Sequence, residues 1–245
     1  FFFKQKTAYE ILTCDWSSDV CSSDLEVMAL SEFQIIRRFF TKRAPSAILG
    51  VGDDAAIIRA RAGMHLVVST DLLVGGRHFR LDDDPGQIGH KALAVNLSDI
   101  AAMGGVPRWA TLALALRRAD ARWLAAFSRG FMRLGRRHGV DLIGGDTTRG
   151  PLAICVQVIG EVPAGKALRR DGARVTDDVW VSGRIGDAAL ALAALDGRIP
   201  LNRRERARIA RRLHAPTPRV ELGIALRGVA HRDRKSTRLN SSHMS

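Results

Sequence analysis

Cysteine, tyrosine and lysine are scarce in this sequence, and long apolar runs are missing. Three Cys and one Tyr occur in 245 residues, too few for a disulfide scaffold. No stretch of about twenty uncharged apolar residues is present, so no membrane-spanning helix is expected. Aromatic residues make up 6%, which leaves little for stacking nucleic-acid bases. What is present is an ordinary globular composition: 46% hydrophobic, 26% charged, mean hydropathy −0.03. That excludes a disordered or collagen-like chain and allows one large domain or two small ones. The net charge of +13 points, taken alone, to an anionic partner.

The two ends read as foreign sequence. Asp15–Asp24 and Asp233–His243 are translations of one DNA string and of its reverse complement, the pattern of a sequencing-library adapter, and Phe1–Ile11 resembles translated primer. Residues 1–25 and 233–245 are therefore set aside as adapter artefact. Met28 becomes the expected start, and the reading frame is expected to be cut near Arg232. Cys14, Cys21 and Tyr9 leave with the ends, so Cys155 remains alone, read as apolar filler of a strand, with no zinc site expected. The ends carry balancing charge, so the remainder keeps its +13. Its bases are nearly all Arg, with Lys only at 42, 91 and 166. Without a signal peptide the expected compartment is the cytoplasm.

Local patterns divide residues 26–232 into elements. Ser31 to Gln34 forms a capping box, with Phe33, Ile36 and Phe40 on one helical face. Strands are expected over 66–70, 111–116, 140–143, 153–159 and 179–182. Helices are expected over 87–103 (apolar nearly all round, hence buried), 121–138 with Gly139 as cap, 186–195, 203–213 and 219–229. The alternation predicts an α/β or α+β fold. The Pro/Gly/Lys-rich stretch 162–172 is the expected boundary between a domain over 26–162 and the start of a second over 163–232.

Four segments carry acids at or near the ends of apolar elements: Gly52-Asp53-Asp54, Ser69-Thr70-Asp71, Asn96-Leu97-Ser98-Asp99 and Gly144-Gly145-Asp146. Asp99 stands near the C-terminal end of a buried helix, where the macrodipole is already negative. Lys91, Val95 and Asp99 share a stripe, and a water-bridged Lys91 pair is the plain structural alternative. Converging carboxylates need a cation, and oxygen-only donors select Mg²⁺ or a similar hard ion. Mg²⁺ usually binds one or two carboxylates plus substrate phosphates, which points to phosphoryl transfer. Each Asp alone is equally a turn former. No P-loop is present, since Gly165-Lys166 is followed by Ala167. The Gly50-Val-Gly52-Asp-Asp-Ala55 string places two negative charges where a dinucleotide pyrophosphate would sit.

These strings together resemble the thiamine-monophosphate kinase family. They are Ser31-Glu-Phe, Gly52-Asp-Asp-Ala, Ser69-Thr-Asp-Leu-Leu, His78-Phe, the run Lys91 to Gly104, Gly144-Gly-Asp-Thr-Thr-Arg-Gly-Pro, Arg170-Asp-Gly-Ala, Ser182-Gly-Arg-Ile-Gly-Asp and His214-Ala-Pro-Thr-Pro-Arg. The family belongs to a superfamily of ATP-dependent synthases that includes aminoimidazole ribonucleotide synthetase. The resemblance implies an N-terminal mixed-sheet domain of that type followed by the beginning of a second α/β domain. It also implies a homodimer formed through the sheets. The implied activity is direct, Mg²⁺-assisted transfer of the ATP γ-phosphoryl to thiamine monophosphate. By position, Asp54, Ser69, Thr70, Asp71, Asp99 and Asp146 would hold Mg²⁺. Gly145, Asp146 and Arg170 would contact ATP, and His78 the thiamine phosphate.

Three departures accompany the resemblance. Gly75 stands where many relatives have Glu, and Ser128 where an aromatic is common. Adapter sequence replaces the family's Asp-x-Ser-Asp-Gly segment, so the chain is expected to be incomplete and nearly inactive. The alternatives are another synthase of the superfamily or a basic nucleic-acid-binding module without catalysis.

Overall fold

The computed structural model describes residues 30–231. The end segments 1–25 and 233–245, and the expected start at Met28, lie outside the described residues. At the start, Ser31 Oγ accepts the Gln34 N–H at 3.3 Å and Gln34 Oε1 accepts the Ser31 N–H at 2.9 Å. This capping box opens α1, Glu32–Ile35, which continues as a π turn, Ile36–Phe40. The wider turn closes with the Thr41 N–H on the Ile36 carbonyl at 2.9 Å and rotates the register by one residue. Ile35, Phe39 and Phe40 are therefore buried, while Phe33 is 79% exposed. Of the expected stripe Phe33, Ile36 and Phe40, only Phe40 joins the core.

A four-stranded mixed sheet forms the centre, in the order β1-β4-β2-β3. The strands are β1 Met64–Val74, β2 Val106–Leu116, β3 Asp141–Arg149 and β4 Ala153–Pro163. β4 pairs antiparallel with both β1 and β2, and β2 pairs parallel with β3. Period-two alternation sends Leu73, Leu112, Leu114, Ile154, Val156 and Val158 into the core. The opposite face is open: Leu66, Val68 and Leu72 of β1 are 46%, 56% and 54% exposed. Cys155, beside Leu72 and Ala113 in register, lies half-buried on that outer face rather than in the core.

Two helices cover the inner face. α2, Pro85–Ala102, starts with Asp84 accepting the Gln87 N–H at 2.8 Å and Pro85 in its first turn. It stops at Gly104, whose φ is +67°. As its composition requires, it is buried along most of its length, Leu93 and Leu97 completely. α3, Ala121–His138, is amphipathic, opens on Asp120 and ends on Gly139 at φ +64°. It packs so closely on α2 that a Cβ at Gly130 would lie 1.9 Å from the Gly86 carbonyl oxygen. On the far side of the sheet the buried Glu161 accepts from Arg61 Nε at 2.7 Å and from the Arg61 N–H at 2.8 Å. That pair ties the arm preceding β1 to β4.

After β4 the chain turns through a 3-10 turn, Arg170–Gly172, and builds α4 Asp187–Leu195, α5 Arg203–His214 and α6 Val220–Ala225. Ala191, Ile209 and Leu213 form a small second cluster. The expected strand over 179–182 is absent: Val179 and Trp180 are 92% and 89% exposed. Among the described residues no strand runs beside this segment, and a strand needs a neighbour for its backbone groups. The helix expected over 219–229 is confined to α6. α6 lies against α2, with Gly223 over the Ala101 carbonyl and Arg227 Nε donating to the Gly104 carbonyl.

Three histidines line the seam between these later elements and the first two long helices. His90 Nε2 donates to the Pro216 carbonyl at 2.8 Å, His138 Nδ1 lies 3.9 Å from Glu221, and His214 Nδ1 lies 3.6 Å from Asp83. Burial holds His90 and His138 below their ordinary value of 6.5; Arg133 and Arg137 reinforce this at His90, and Glu221 opposes it at His138.

Two predictions follow from this packing. Gly130→Ala forces a clash with backbone and lowers stability by about 1–3 kcal/mol or more. Gly139→Ala, strained only by its left-handed φ, costs about 1 kcal/mol. Urea midpoints rank the two. For the histidines, a native pKa below the unfolded one means the unfolded chain takes the proton first as pH falls. The stability these groups contribute is then complete above about pH 6.5 and declines as pH falls below it. His90→Gln, measured by the same urea titrations, flattens that decline.

Candidate functional site

Two of the expected metal-binding residues, Ser69 and Asp99, meet beneath α2, and Asp71 lies on the same face of β1 as Ser69. Ser69 and Asp71, two apart on β1, share the inner-facing parity of that strand. Asp99, one turn before the end of α2, accepts a hydrogen bond from Ser69 Oγ at 3.1 Å. The set consists of hard oxygen donors alone. The turn that follows β1 carries His78, whose Nδ1 accepts the Val74 N–H at 2.9 Å. His78 is therefore a neutral imidazole with its proton on Nε2. Burial, more than the neighbouring Lys91 and Arg77, holds its pKa down, while the charge of Asp71 acts the other way. Lys91, on the same helical stripe as Asp99, has a direct partner in the turn after β1. Its Nζ donates to the His78 carbonyl at 2.7 Å.

The remaining expected ligands lie elsewhere. Thr70 faces the outer side of β1 and accepts from Gln157 Nε2 at 3.3 Å. Asp54 is exposed in the arm before β1, its N–H on the Asp53 carboxylate at 2.8 Å. Asp146 is exposed inside β3, not in a loop beyond a shorter strand. In register, Asp71, Val156, Leu112 and Gly145 run straight across the sheet from β1 to β3. Asp71 and Asp146 thus sit on opposite edge strands, roughly 14 Å apart at three strand spacings, and on opposite faces. Among the described residues, no three His, Cys, Asp or Glu side chains are grouped to hold one metal ion. The expected convergence of all four acids is therefore not found within one copy. Ser69 touches Asp99, Asp71 shares the strand face of Ser69, and Asp146 lies apart.

The expected nucleotide contacts have their own structural setting. Gly145 adopts φ +149°, and a Cβ there would fall 1.9 Å from the Leu112 carbonyl oxygen, so β2 and β3 can approach only with glycine at this position. Arg170 is exposed in the 3-10 turn, which Leu168 anchors to the end of α2 through the Met103 carbonyl at 3.1 Å. Ser128 is buried, and its hydroxyl donates to the Phe39 carbonyl at 2.6 Å. It borders a cavity of about 410 Å³ whose lining includes Arg38, Lys42, Arg129, Arg133 and Arg136.

Sequence reasoning missed Glu32. Its carboxyl is raised above the usual carboxylate range by burial and then by the charge of Asp146. The capping-box position of α1 hid a residue that the fold brings to the β3 edge. Gln157 was also missed, although its outward place in the alternation of β4 was available.

Residues 52–162 match the family described as AIR synthase related protein, N-terminal domain. Over this segment the chain is similar to that family, and over most of its described length to thiamine-monophosphate kinases. It is 45% identical over 207 residues to a thiamine-monophosphate kinase of Salmonella typhimurium, covering 83% of this chain and 64% of that protein. The crystal structure of the thiamine-monophosphate kinase from Stenotrophomonas maltophilia is 46% identical, with a TM-score of 0.72 over 82% of this chain and 64% of that one. AaThiL complexed with AMPPCP and TMP is 28% identical, with a TM-score of 0.66 over 81% of this chain and 62% of that one. The chain thus spans a little under two thirds of the relatives it matches.

The pairing of Glu32 with the β3 acid is directly measurable. Asp146→Asn removes a like charge and lowers the Glu32 pKa toward its ordinary 4.5. Carboxyl-carbon NMR titration reads the shift, and an unchanged Glu32 would separate the two residues.

Proposed function

We propose that this chain belongs to an enzyme transferring the γ-phosphoryl group of ATP to thiamine monophosphate, giving thiamine diphosphate and ADP. The observation that carries the reading is the Ser69–Asp99 contact, with Asp71 on the same strand face and a neutral His78 in the turn beyond, in a chain 45% identical over 207 residues to a thiamine-monophosphate kinase. Two carboxylates and a hydroxyl fit Mg²⁺, which takes its remaining ligands from water and phosphates. When bound there, Mg²⁺ supplies charge neutralisation for the transferring phosphoryl group.

The chain's own residues contribute positioning. His78, with Nδ1 occupied by Val74, offers Nε2–H to a phosphate oxygen of thiamine monophosphate. Gly145, without a side chain, leaves backbone open to ATP at the β3 edge, and Arg170 supplies a fork of donors for its phosphates. Asp54, Thr70 and Asp146 complete the metal-binding set in this reading. Catalysis is then orientation and electrostatics, with no covalent intermediate on a side chain.

A homodimer accounts for the residues that one copy keeps apart. Leu66, Val68 and Leu72 form an apolar face open to solvent, the kind of patch that marks an interface. Two such sheets laid face to face place the outward-facing Thr70 and Asp146 of each copy in the interface between the subunits. We assign residues 26–162 to the nucleotide, metal and dimer domain and 163–232 to the start of a second domain. The compartment is the cytoplasm. Among the described residues no helix is long and apolar enough to cross a membrane.

Thiamine diphosphate formation from thiamine monophosphate and Mg-ATP, assayed with the chain extended to the relatives' full length, tests the reaction. Release of ADP that ignores thiamine monophosphate would favour another synthase chemistry. Mixing tests the shared site. Thr70→Ala and Asp146→Asn are each expected to weaken Mg²⁺-dependent binding of an ATP analogue by about tenfold or more. Mixed dimers of the two recover about a quarter of the sites, because one site per mixed dimer keeps both residues. No recovery on mixing would return the site to a single copy.

A further inference from the structure

We propose that Lys91 is a positioning residue that holds His78 in its ligand-ready form. This goes beyond the reading above and rests on it for the use made of His78. Lys91 projects from α2, where burial pushes its ammonium below the ordinary lysine range and the charge of Asp83 works the other way. An ammonium in that setting needs an acceptor, and it donates to the His78 carbonyl at 2.7 Å.

The bond closes a small mechanical unit. The turn from Val74 to Phe79 is stitched by the His78 N–H on the Val74 carbonyl at 2.9 Å and by the Gly76 N–H on the Phe79 carbonyl at 2.8 Å. The Val74 N–H in turn donates to His78 Nδ1. Backbone and imidazole of His78 are thus both committed, and Lys91 grips the carbonyl from the helix beneath. Without that grip the turn opens, Nδ1 loses the Val74 N–H, and the ring no longer has one preferred tautomer. Asp83, which faces Lys91, also lies 3.6 Å from His214 Nδ1. The hold on His78 therefore reaches the segment leaving α5, which the family resemblance matched without giving it a role.

Nitrogen NMR of the full 245-residue chain with labelled histidine tests the proposal. Unaltered, His78 shows separate signals for an unprotonated Nδ1 and a protonated Nε2. In Lys91→Met the two merge toward an average, while His90 and His138 keep their positions and certify the fold. Lys91→Arg, which keeps a cationic donor, restores much of the separation. An unchanged His78 in a folded Lys91→Met chain overturns the proposal. Should that variant not fold, the unaltered chain decides: a through-hydrogen-bond coupling between Lys91 Nζ and the His78 carbonyl carbon supports the proposal, and its absence overturns it. Thiamine monophosphate is then added. Displacement of the His78 Nε2 signal, with binding about tenfold weaker in Lys91→Met, supports the positioning role in substrate binding. A His78 signal indifferent to thiamine monophosphate overturns that role, even where the tautomer result stands.

Discussion

The burial of α2 is the constraint on which the rest depends. A helix with Ile88, Ala92, Leu93, Ala94, Leu97 and Ile100 all out of water has no solvent face to slide along. Its height and rotation over the sheet are fixed by packing. Glycines at 86, 89 and 130 bring α3 down to backbone contact and remove the remaining freedom. The polar residues on α2 therefore stand at defined points. Asp99 reaches Ser69 on one strand and Lys91 reaches the turn after it, because the hydrophobic contact around them permits no other registration.

That arrangement shows how an apolar core prepares polar chemistry. Hard oxygen donors under a buried helix are held without flexible side chains spanning long gaps, so little ordering is left to be done when an ion or phosphate arrives. The acid on β3 is organised differently. It sits at a sheet edge beside Glu32, exposed, and the strand geometry puts it beyond reach of the first group within one copy. One chain thus holds two partial acidic sites of unlike character, one packed and one open.

Much of the fold was legible from local pattern. The capping box at Ser31, the apolar helix, the Asp120–Gly139 helix and the strands of the sheet all follow from periodicity and end signals. What pattern could not supply was register. Phe33, expected on the inner face, is exposed, Phe39 outside the expected stripe is buried, and nothing in the apolar spacing marks the π turn between them. β3 continues through two glycines that read as a loop, and the second, Gly145, is what lets the strand approach Leu112. The 179–182 segment has the composition of a strand but no neighbour among the described residues to pair with. At the site, residue types and order marked Ser69, Asp71 and Asp99 as hard oxygen donors, and the fold sets Ser69 and Asp71 on the strand face toward Asp99. The separation of Asp146 is a property of strand order, which no motif encodes.

Cys155 gains significance from its position. Half-covered on the open sheet face, next to Leu72 and Ala113, it is the one thiol among the described residues. Its rate of alkylation is set by whatever lies over that face. A bare sheet leaves the sulfur reachable by small reagents, and a second sheet laid upon it does not. The chain thereby carries an intrinsic chemical reporter of its own assembly, readable by mass spectrometry without any engineered label.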